Sequence, residues 1–465
     1  MTSVPARVSA AVDALRQRPI PVTDKAFGCL ASSPGAAEPV TAAGLAAGRP
    51  SMFGPDFTWP LLVLRDSALR QNIQRMAAYC AASGVELAPH GKTTMAPQLY
   101  ARQLAAGAWG MTAATSAELR VFRAFGVPRV LLANQLTDRG GIRWLARELA
   151  ADPGFDCYVY ADSMAGVALL DEELTACRTA RALPVLVELG HPGGRAGCRS
   201  LDEALAVGKA VTAAGPLRLA GAAGYEGSVG HDGTPAALAA VARFCAELRT
   251  LGDLLGDLLA TAATSATAAT SATAATSAAA APGAADPAPG RQILTAGGSA
   301  FFDLVIRELT ASRPGRERPM VILRSGAYIS HDHGYYADLT PGGQPGRSGP
   351  SLTAAFELWA GVLSRPEPSL AILDAGRRDV AFDQGMPVPQ LVRRADGQMT
   401  AATGMSVSKL DDQHAYLSIP PGTELSPGDA LGMGISHPCT TFDKWRVIPA
   451  VDDDYRVVDA IHTFF

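Results

Sequence analysis

Short apolar runs and longer amphipathic segments follow each other in a repeated order that begins at Trp59. Short runs of this kind are typical of buried strands, and apolar residues at three- and four-residue spacing predict helices. Eight strand–helix units lie between residues 59 and 309, from the strand at 59–64 to the helix at 301–309. This number and length predict an α/β fold, a (β/α)8 barrel, with an open doubly wound sheet as the alternative.

The pattern changes after residue 319, where alternating segments separated by Pro and Gly turns predict a second, mainly β domain. Its predicted strands are 320–329, 369–374, 390–394, 414–419 and 445–451, with a predicted helix at 352–363. We therefore divide the chain into three parts: a lead-in at 1–55 that contributes partly to the β domain, a barrel at 56–319, and the β domain at 320–465.

A low-complexity segment interrupts the predicted barrel at 261–290, beginning with three copies of TAATSA. Small polar residues offer no apolar face whose burial could offset the entropy lost on ordering. We therefore interpret the segment as a flexible insertion without a functional role.

Composition excludes several classes of function. The formal net charge is −4 and charges are interspersed, so neither a nucleic-acid nor a membrane partner is expected. No apolar run approaches the roughly 20 residues that span a bilayer, and the charged N-terminus does not resemble a signal peptide. The seven cysteines are dispersed without a Cys-x-x-Cys pair, which favours free thiols and a cytoplasmic location.

Lys92 lies just after the second predicted strand, in the sequence PHGKT beside His90. Barrel enzymes carry their functional groups where strands end at the C-terminal face. Lys92 is then either an ordinary surface lysine or a desolvated amine that forms a Schiff base. In the second case, His90 is a further candidate for cofactor binding.

The sequence Gly297-Gly298-Ser299 follows the last predicted barrel strand. Two glycines let backbone N–H groups approach an anion, Ser299 adds a hydroxyl, and a helix N-terminus adds its dipole. Any tight turn also uses such residues. A lysine on an early strand and an anion site on the last one together suit pyridoxal phosphate, whose aldehyde and phosphate need those partners.

His437 and Cys439 are two residues apart in a segment predicted as extended, so their side chains are expected on one side. Imidazole and thiolate are zinc ligands, and two of them leave positions for substrate or water. The alternative is a core cysteine beside a capping histidine. The nearby His331-Asp332-His333 is interpreted as a hydrogen-bonded hinge or a contact at the edge of the site.

PHGKT, GGS and HPCTTFDKW together resemble the D-serine dehydratase and D-threonine aldolase family of fold-type III pyridoxal-phosphate enzymes, with an alanine racemase-like barrel. The resemblance extends from about residue 59 to the C-terminus, without the insertion. It implies that Lys92 forms the Schiff base and that His437 and Cys439 bind zinc. It also implies that Arg195 lies near the cofactor ring and that Tyr225 faces it.

The aldolase branch of this family typically has an aspartate as its second metal ligand, so Cys439 favours the dehydratase branch. We expect a lyase that uses pyridoxal phosphate and zinc to convert a β-hydroxy-D-amino acid such as D-serine to a 2-oxo acid and ammonia. Retro-aldol cleavage to glycine and an aldehyde is the alternative, and a non-catalytic pyridoxal-phosphate-binding protein is a further one. The resemblance also implies a homodimer.

Overall fold

The computed structural model describes residues 4–21, 23–27, 39–269 and 291–465. Its strands form an eight-stranded parallel sheet and a ten-stranded, largely antiparallel sheet. The strands of the parallel sheet are Glu86–Leu87, Met111–Ala113, Arg129–Gln135, Asp156–Ala161, Leu183–Leu189, Leu217–Gly224, Ile293–Ala296 and Met320–Leu323. The structure therefore confirms the predicted combination of a parallel α/β unit with a mainly β domain.

The parallel sheet closes into a barrel. Its first strand, Glu86–Leu87, pairs with the last one, Met320–Leu323. On the other side, the backbone N–H groups of Trp109 and Thr112 donate at 2.8 Å to carbonyls of the first strand and the loop after it. This closure excludes the open doubly wound sheet.

The barrel has the predicted number of strands, but two assignments were wrong. The strand Leu61–Arg65, expected to open the barrel, belongs to the antiparallel sheet, between Phe356–Glu367 and Val447–Val451. Met320–Leu323, expected in the β domain, is the eighth barrel strand. Both are short, buried apolar runs, and periodicity alone does not show which sheet such a run joins. The Gly297–Ser299 turn therefore follows the seventh barrel strand.

Helices surround the barrel, and polar side chains start several of them. Thr115, Ser163 and Ser200 each accept a hydrogen bond from a backbone N–H in the first turn, which satisfies a donor that the helix leaves free. The helices are Asp66–Ser83, Pro97–Ala105, Ser116–Ala124, Arg139–Ala151, Met164–Ala176, Leu201–Ala213, Pro235–Ala269 and Phe302–Leu309. Pro235–Ala269 continues into the predicted insertion, so the expected flexibility was wrong for that part; residues 270–290 lie outside the described residues.

The β domain is built around the long strand Phe356–Glu367, part of which was predicted as helix. That prediction was wrong because the strand pairs on both sides, with Leu61–Arg65 and with Ala430–Gly434, and this pairing overrides local propensity. The remaining strands are Leu370–Leu373, Val388–Arg393, Met399–Ala401, Ser406–Leu410, Ala415–Ser418, Val447–Val451 and Val457–His462.

The lead-in packs on the β domain through a helix and an aromatic cluster. The helix Ala42–Gly48 lies against the strand Val457–His462. Phe53 contacts the rings of Trp59, Trp359 and Tyr455. Other helices include Ala6–Arg16, Tyr335–Leu339 and Cys439–Phe442, and the 3-10 turns are Gly91–Thr93, Glu226–Ser228, Ala327–Ile329 and Pro341–Gly343. None of the described helices combines the length and apolar character of a membrane span.

Candidate active site

A cavity of about 450 Å³ lies at the C-terminal ends of the barrel strands, beside the β domain. Its floor and walls come mainly from barrel loops, and Gln384 and the His437–Cys439 turn come from the β domain. The predicted site residues that line it are His90, Lys92, Arg195, Tyr225, Gly298, Ser299, His437 and Cys439. Gly297 is outside this lining. The fold thus brings together candidates that the sequence separates by more than 300 positions.

Lys92 lies on the 3-10 turn Gly91–Thr93, directly after the first barrel strand. Its side chain is exposed toward the cavity, and within the described parts of the chain it has no hydrogen-bond or ion-pair partner. His90 is fully buried beside it. Burial, and then the positive charges of Lys92 and Arg324, hold the pKa of His90 well below its ordinary value. His90 is therefore neutral, and the carboxylate of Glu118 is close enough to Lys92 for the two charges to interact.

The charges around the cavity favour an anionic ligand. Lys92, Arg195 and Arg324 all line it, and Glu188 is the carboxylate among the described lining residues. Burial raises the pKa of Glu188 above its ordinary value. The guanidinium of Arg195 lies 4.5 Å from the ring centre of Tyr225. These two predicted residues therefore contact each other as one wall of the site.

Arg324 and Gly326 are site residues that the sequence reasoning missed, because it placed their strand in the β domain. Arg324 donates to Thr295 Oγ1 and to the carbonyl of Gly224, both at 2.7 Å, so its position is fixed. A Cβ on Gly326 would lie 2.6 Å from the carbonyl oxygen of His90. A glycine is thus required where this loop meets the turn of Lys92. Correct placement of the strand would have revealed both.

Glu226 binds the backbone of the Gly297–Gly298 turn. The carboxylate of Glu226 is fully buried and accepts hydrogen bonds from Gly297 N at 2.9 Å and Gly298 N at 2.7 Å. These two backbone groups are therefore engaged by a carboxylate of the chain itself, and their predicted role as anion donors stays a prediction. Ser299 still lines the cavity, where its Oγ accepts from Ala327 N at 3.1 Å.

His437 and Cys439 approach each other through a turn and not through an extended strand. Cys439 begins the short helix Cys439–Phe442, so the predicted local structure was wrong although both side chains reach the cavity. His437 Nδ1 donates to Asp383 Oδ2 at 2.7 Å, and Thr440 donates to Asp383 Oδ1 at 2.7 Å. Burial opposes the charge of His437, but hydrogen bonds to Cys439 and Asp383 outweigh it and raise its pKa to about 9.

Asp332 organises the neighbouring segment, residues 332–337. Its carboxylate accepts hydrogen bonds from the backbone N–H groups of Gly334, Tyr336 and Ala337, at the start of the helix Tyr335–Leu339. The backbone N–H of His333 donates to the carbonyl of Ile435 at 2.9 Å. The backbone of this segment thus contacts the residues before His437, but the buried Nδ1 atoms of His331 and His333 have no hydrogen-bond partner among the described residues, so the hydrogen-bonded hinge stays a prediction.

Two family models match the chain. The alanine racemase N-terminal domain matches residues 65–285, and a putative serine dehydratase domain matches residues 355–451. The chain is therefore similar to alanine racemases in its barrel and to putative serine dehydratases in its β domain. This confirms the resemblance to fold-type III pyridoxal-phosphate enzymes that the sequence motifs indicate.

Two relatives of the chain have different reactions in their names. D-threonine aldolase of Arthrobacter sp. is 24% identical over 399 residues, which are 85% of this chain and 89% of the relative. D-threo-3-hydroxyaspartate dehydratase of Delftia sp. strain HT23 is 29% identical over 255 residues, which are 54% of this chain and 63% of the relative. Aldolases and dehydratases of this kind are lyases, and the choice between the two reactions stays open.

Among solved structures, D-threonine aldolase from Filomicrobium marinum superimposes with a TM-score of 0.63 at 25% identity. It covers 88% of this chain and 95% of its own. A D-threo-3-hydroxyaspartate dehydratase mutant described as a metal-free form has the same TM-score at 22% identity, covering 87% of this chain and 97% of its own. The alanine racemase-like fold is thus shared along almost the whole length of these proteins.

The site residues fit pyridoxal phosphate. The buried Nδ1 of His90 and hydroxyl of Tyr160 line the cavity, and neither has a hydrogen-bond partner among the described residues. Buried polar atoms are normally paired, so a polar ligand in the cavity accounts for them. The excess of positive charge suits a phosphate and a substrate carboxylate. Lys92 supplies the amine that an aldehyde needs.

The pair of His437 and Cys439 fits zinc. Sulfur and imidazole are typical donors for this ion, and a carboxylate on Nδ1, as Asp383 provides, leaves Nε2 as the ligand atom. No group of three or more His, Cys, Asp or Glu side chains with metal-binding geometry is present in the described ranges. The chain itself then supplies two donors, which leaves open positions of the kind that catalytic zinc sites have.

Replacing Glu226 by Gln is expected to loosen the cofactor site. A glutamine side chain offers one acceptor oxygen, so one of the Gly297 and Gly298 N–H groups loses its partner. Leaving a buried donor unpaired costs about 1–3 kcal/mol. We expect a loss of that size in the free energy of unfolding by urea, and weaker pyridoxal phosphate binding in an absorbance titration. Glu247→Gln, at an exposed helix position, is the control. Equal stability and equal cofactor binding in the two variants would contradict the role given to Glu226 at the Gly297–Gly298 turn.

Proposed function

We propose that this chain is a lyase that uses pyridoxal phosphate and zinc to eliminate water from a β-hydroxy-D-amino acid, with D-serine as the first candidate. The products are a 2-oxo acid and ammonia. The observation that carries the proposal is that the amine of Lys92 and the His437–Cys439 pair line one cavity. The names of the relatives, dehydratase and aldolase, support the lyase class.

Lys92 has two roles in this proposal. Pyridoxal phosphate supplies an aldehyde that bonds to an amine and a ring that withdraws electrons from Cα. Lys92 Nζ would be the amine that holds this aldehyde. The same Nζ would be the positioned general base that accepts the Cα proton. His90, Arg195 and Arg324 line the same cavity as this amine, and burial keeps His90 neutral.

The residues of the β domain act on the β-oxygen of the substrate, whereas Lys92 acts at Cα. Cys439 and His437 Nε2 would hold zinc, and zinc there would supply Lewis acidity toward the β-oxygen, which is a poor leaving group as hydroxide. Asp383 fixes the ring orientation of His437, and the short helix fixes Cys439. The Cα–H and Cβ–O bonds break and one water is lost. The enamine that leaves the site takes up water and releases ammonia.

Retro-aldol cleavage is the second candidate, because the relative that covers 85% of this chain is named a D-threonine aldolase. The same residues would have different roles in this reaction. A base removes the proton of the β-hydroxyl, the Cα–Cβ bond breaks, and Lys92 returns a proton to Cα. The products are glycine and an aldehyde. Cys439 stands where the aldolase branch typically has an aspartate, and this favours elimination over retro-aldol cleavage.

D-Threonine separates the two reactions. We expect the protein, loaded with pyridoxal phosphate and zinc, to form 2-oxobutanoate and ammonia, measured by proton NMR. Glycine and acetaldehyde would instead establish carbon–carbon cleavage. A parallel incubation with D-serine is expected to give pyruvate. If neither substrate changes, the protein is not the proposed lyase, and the pyridoxal-phosphate-binding protein without catalytic activity becomes the better interpretation.

A further inference from the structure

One side-chain contact joins the turn that carries Lys92 to the turn that carries Cys439. Thr93 Oγ1 lies 3.4 Å from Cys439 Sγ. Thr93 ends the 3-10 turn Gly91–Thr93, and the helix Cys439–Phe442 packs against that turn. The side chain of Thr93 is 2% exposed, so this hydroxyl does not exchange its partner freely with solvent.

The surroundings of Thr93 fix its hydroxyl in place. A Cβ on Gly326 would lie 2.7 Å from Thr93 Oγ1, so the barrel loop closes the space on that side. Cys439 lies on the other side. The two predicted metal ligands are thus each held from another part of the chain, His437 by Asp383 and Cys439 by Thr93.

We propose that Thr93 is a positioning residue that donates a hydrogen bond to the metal-binding thiolate of Cys439. A thiolate only accepts hydrogen bonds, so the hydroxyl must be the donor once Cys439 binds a metal. This bond draws electron density from the sulfur and keeps the metal a stronger Lewis acid. It also fixes the metal relative to the neighbouring Lys92. The inference rests on the proposed function in one respect, that Cys439 binds a metal.

The test compares Thr93→Val, which keeps the shape but removes the hydroxyl, with Thr93→Ser, which keeps the hydroxyl. Metal-free protein is titrated with Co²⁺, and the sulfur-to-cobalt charge-transfer band is recorded in the near ultraviolet. We expect a shift of this band to lower energy in Thr93→Val, because the sulfur becomes a stronger donor, and the wild-type position in Thr93→Ser. We also expect turnover at saturating zinc to fall about 10-fold in Thr93→Val only.

Thr310→Val is the matched control, because Thr310 donates to the carbonyl of Ile306 away from the cavity and its loss leaves the band unchanged. Thr93→Ala repeats the measurement if Thr93→Val does not fold. A band that is present but does not move in either hydroxyl-free variant overturns the role of Thr93 and leaves the proposed function intact. Cobalt binding without a sulfur band in the wild-type protein overturns both.

Discussion

Replacing Lys92 by Ala is expected to lower kcat/KM for D-serine by more than about 10⁴-fold, since a general base alone contributes about 10²–10⁴-fold. The loss is this large because one amine serves both to hold the cofactor and to move the Cα proton. No second lysine is found among the described residues that line the cavity. Formation of pyruvate measures the effect, and the absorbance of the bound cofactor shows whether its bond to the protein is lost.

Two further variants test whether turnover needs the amine of Lys92 or only its positive charge. Lys92→Arg keeps the positive charge, but a guanidinium is neither a nucleophile nor a base near neutral pH. We therefore expect it to be as inactive as Lys92→Ala. Lys209→Ala removes an exposed lysine from the helix Leu201–Ala213 and is expected to leave kcat/KM unchanged. Full turnover with an unaltered cofactor band in Lys92→Ala would refute the mechanism.

The parts of the site that the sequence predicted are those in which local sequence determines position. PHGKT carries its own strand exit, so Lys92 lies at the end of a barrel strand as expected. The His437–Cys439 pair also reaches the cavity, although through a turn and a short helix. The catalytic and binding roles of these residues, the homodimer and the cytoplasmic location stay predictions.

The residues that the sequence did not reveal act across long distances in the chain. Glu226 reaches Gly297 and Gly298, 71 and 72 positions away, and Asp383 reaches His437, 54 positions away. Neither acidic residue has a local pattern that distinguishes it from one at the surface. The wrong sheet assignments of the strands Leu61–Arg65 and Met320–Leu323 have the same cause. A buried apolar run is stable in either sheet, and its place depends on partners elsewhere in the chain.

Removal of the metal, or replacement of Cys439 by Ala, is expected to lower turnover by about 10³-fold, which corresponds to ~4 kcal/mol of lost transition-state stabilisation. Without a Lewis acid, the β-oxygen must leave as unstabilised hydroxide. Asp383→Asn retains both ligands and disturbs only the orientation of His437. Its expected loss is smaller, about 10–100-fold in metal affinity, with turnover recovered at high zinc. Zinc content and pyruvate formation are measured on the same samples.

Cys177→Ala is the control for the cysteine replacement, because Cys177 is exposed on the barrel surface and does not line the cavity. It is expected to retain both zinc and turnover. After chelation, added zinc should restore pyruvate formation by the wild-type protein and by Cys177→Ala, but not by Cys439→Ala. Full activity with zinc verified as absent would contradict the metal's role. It would leave the role of Lys92 standing, because removal of the Cα proton depends on the barrel residues and not on the β domain.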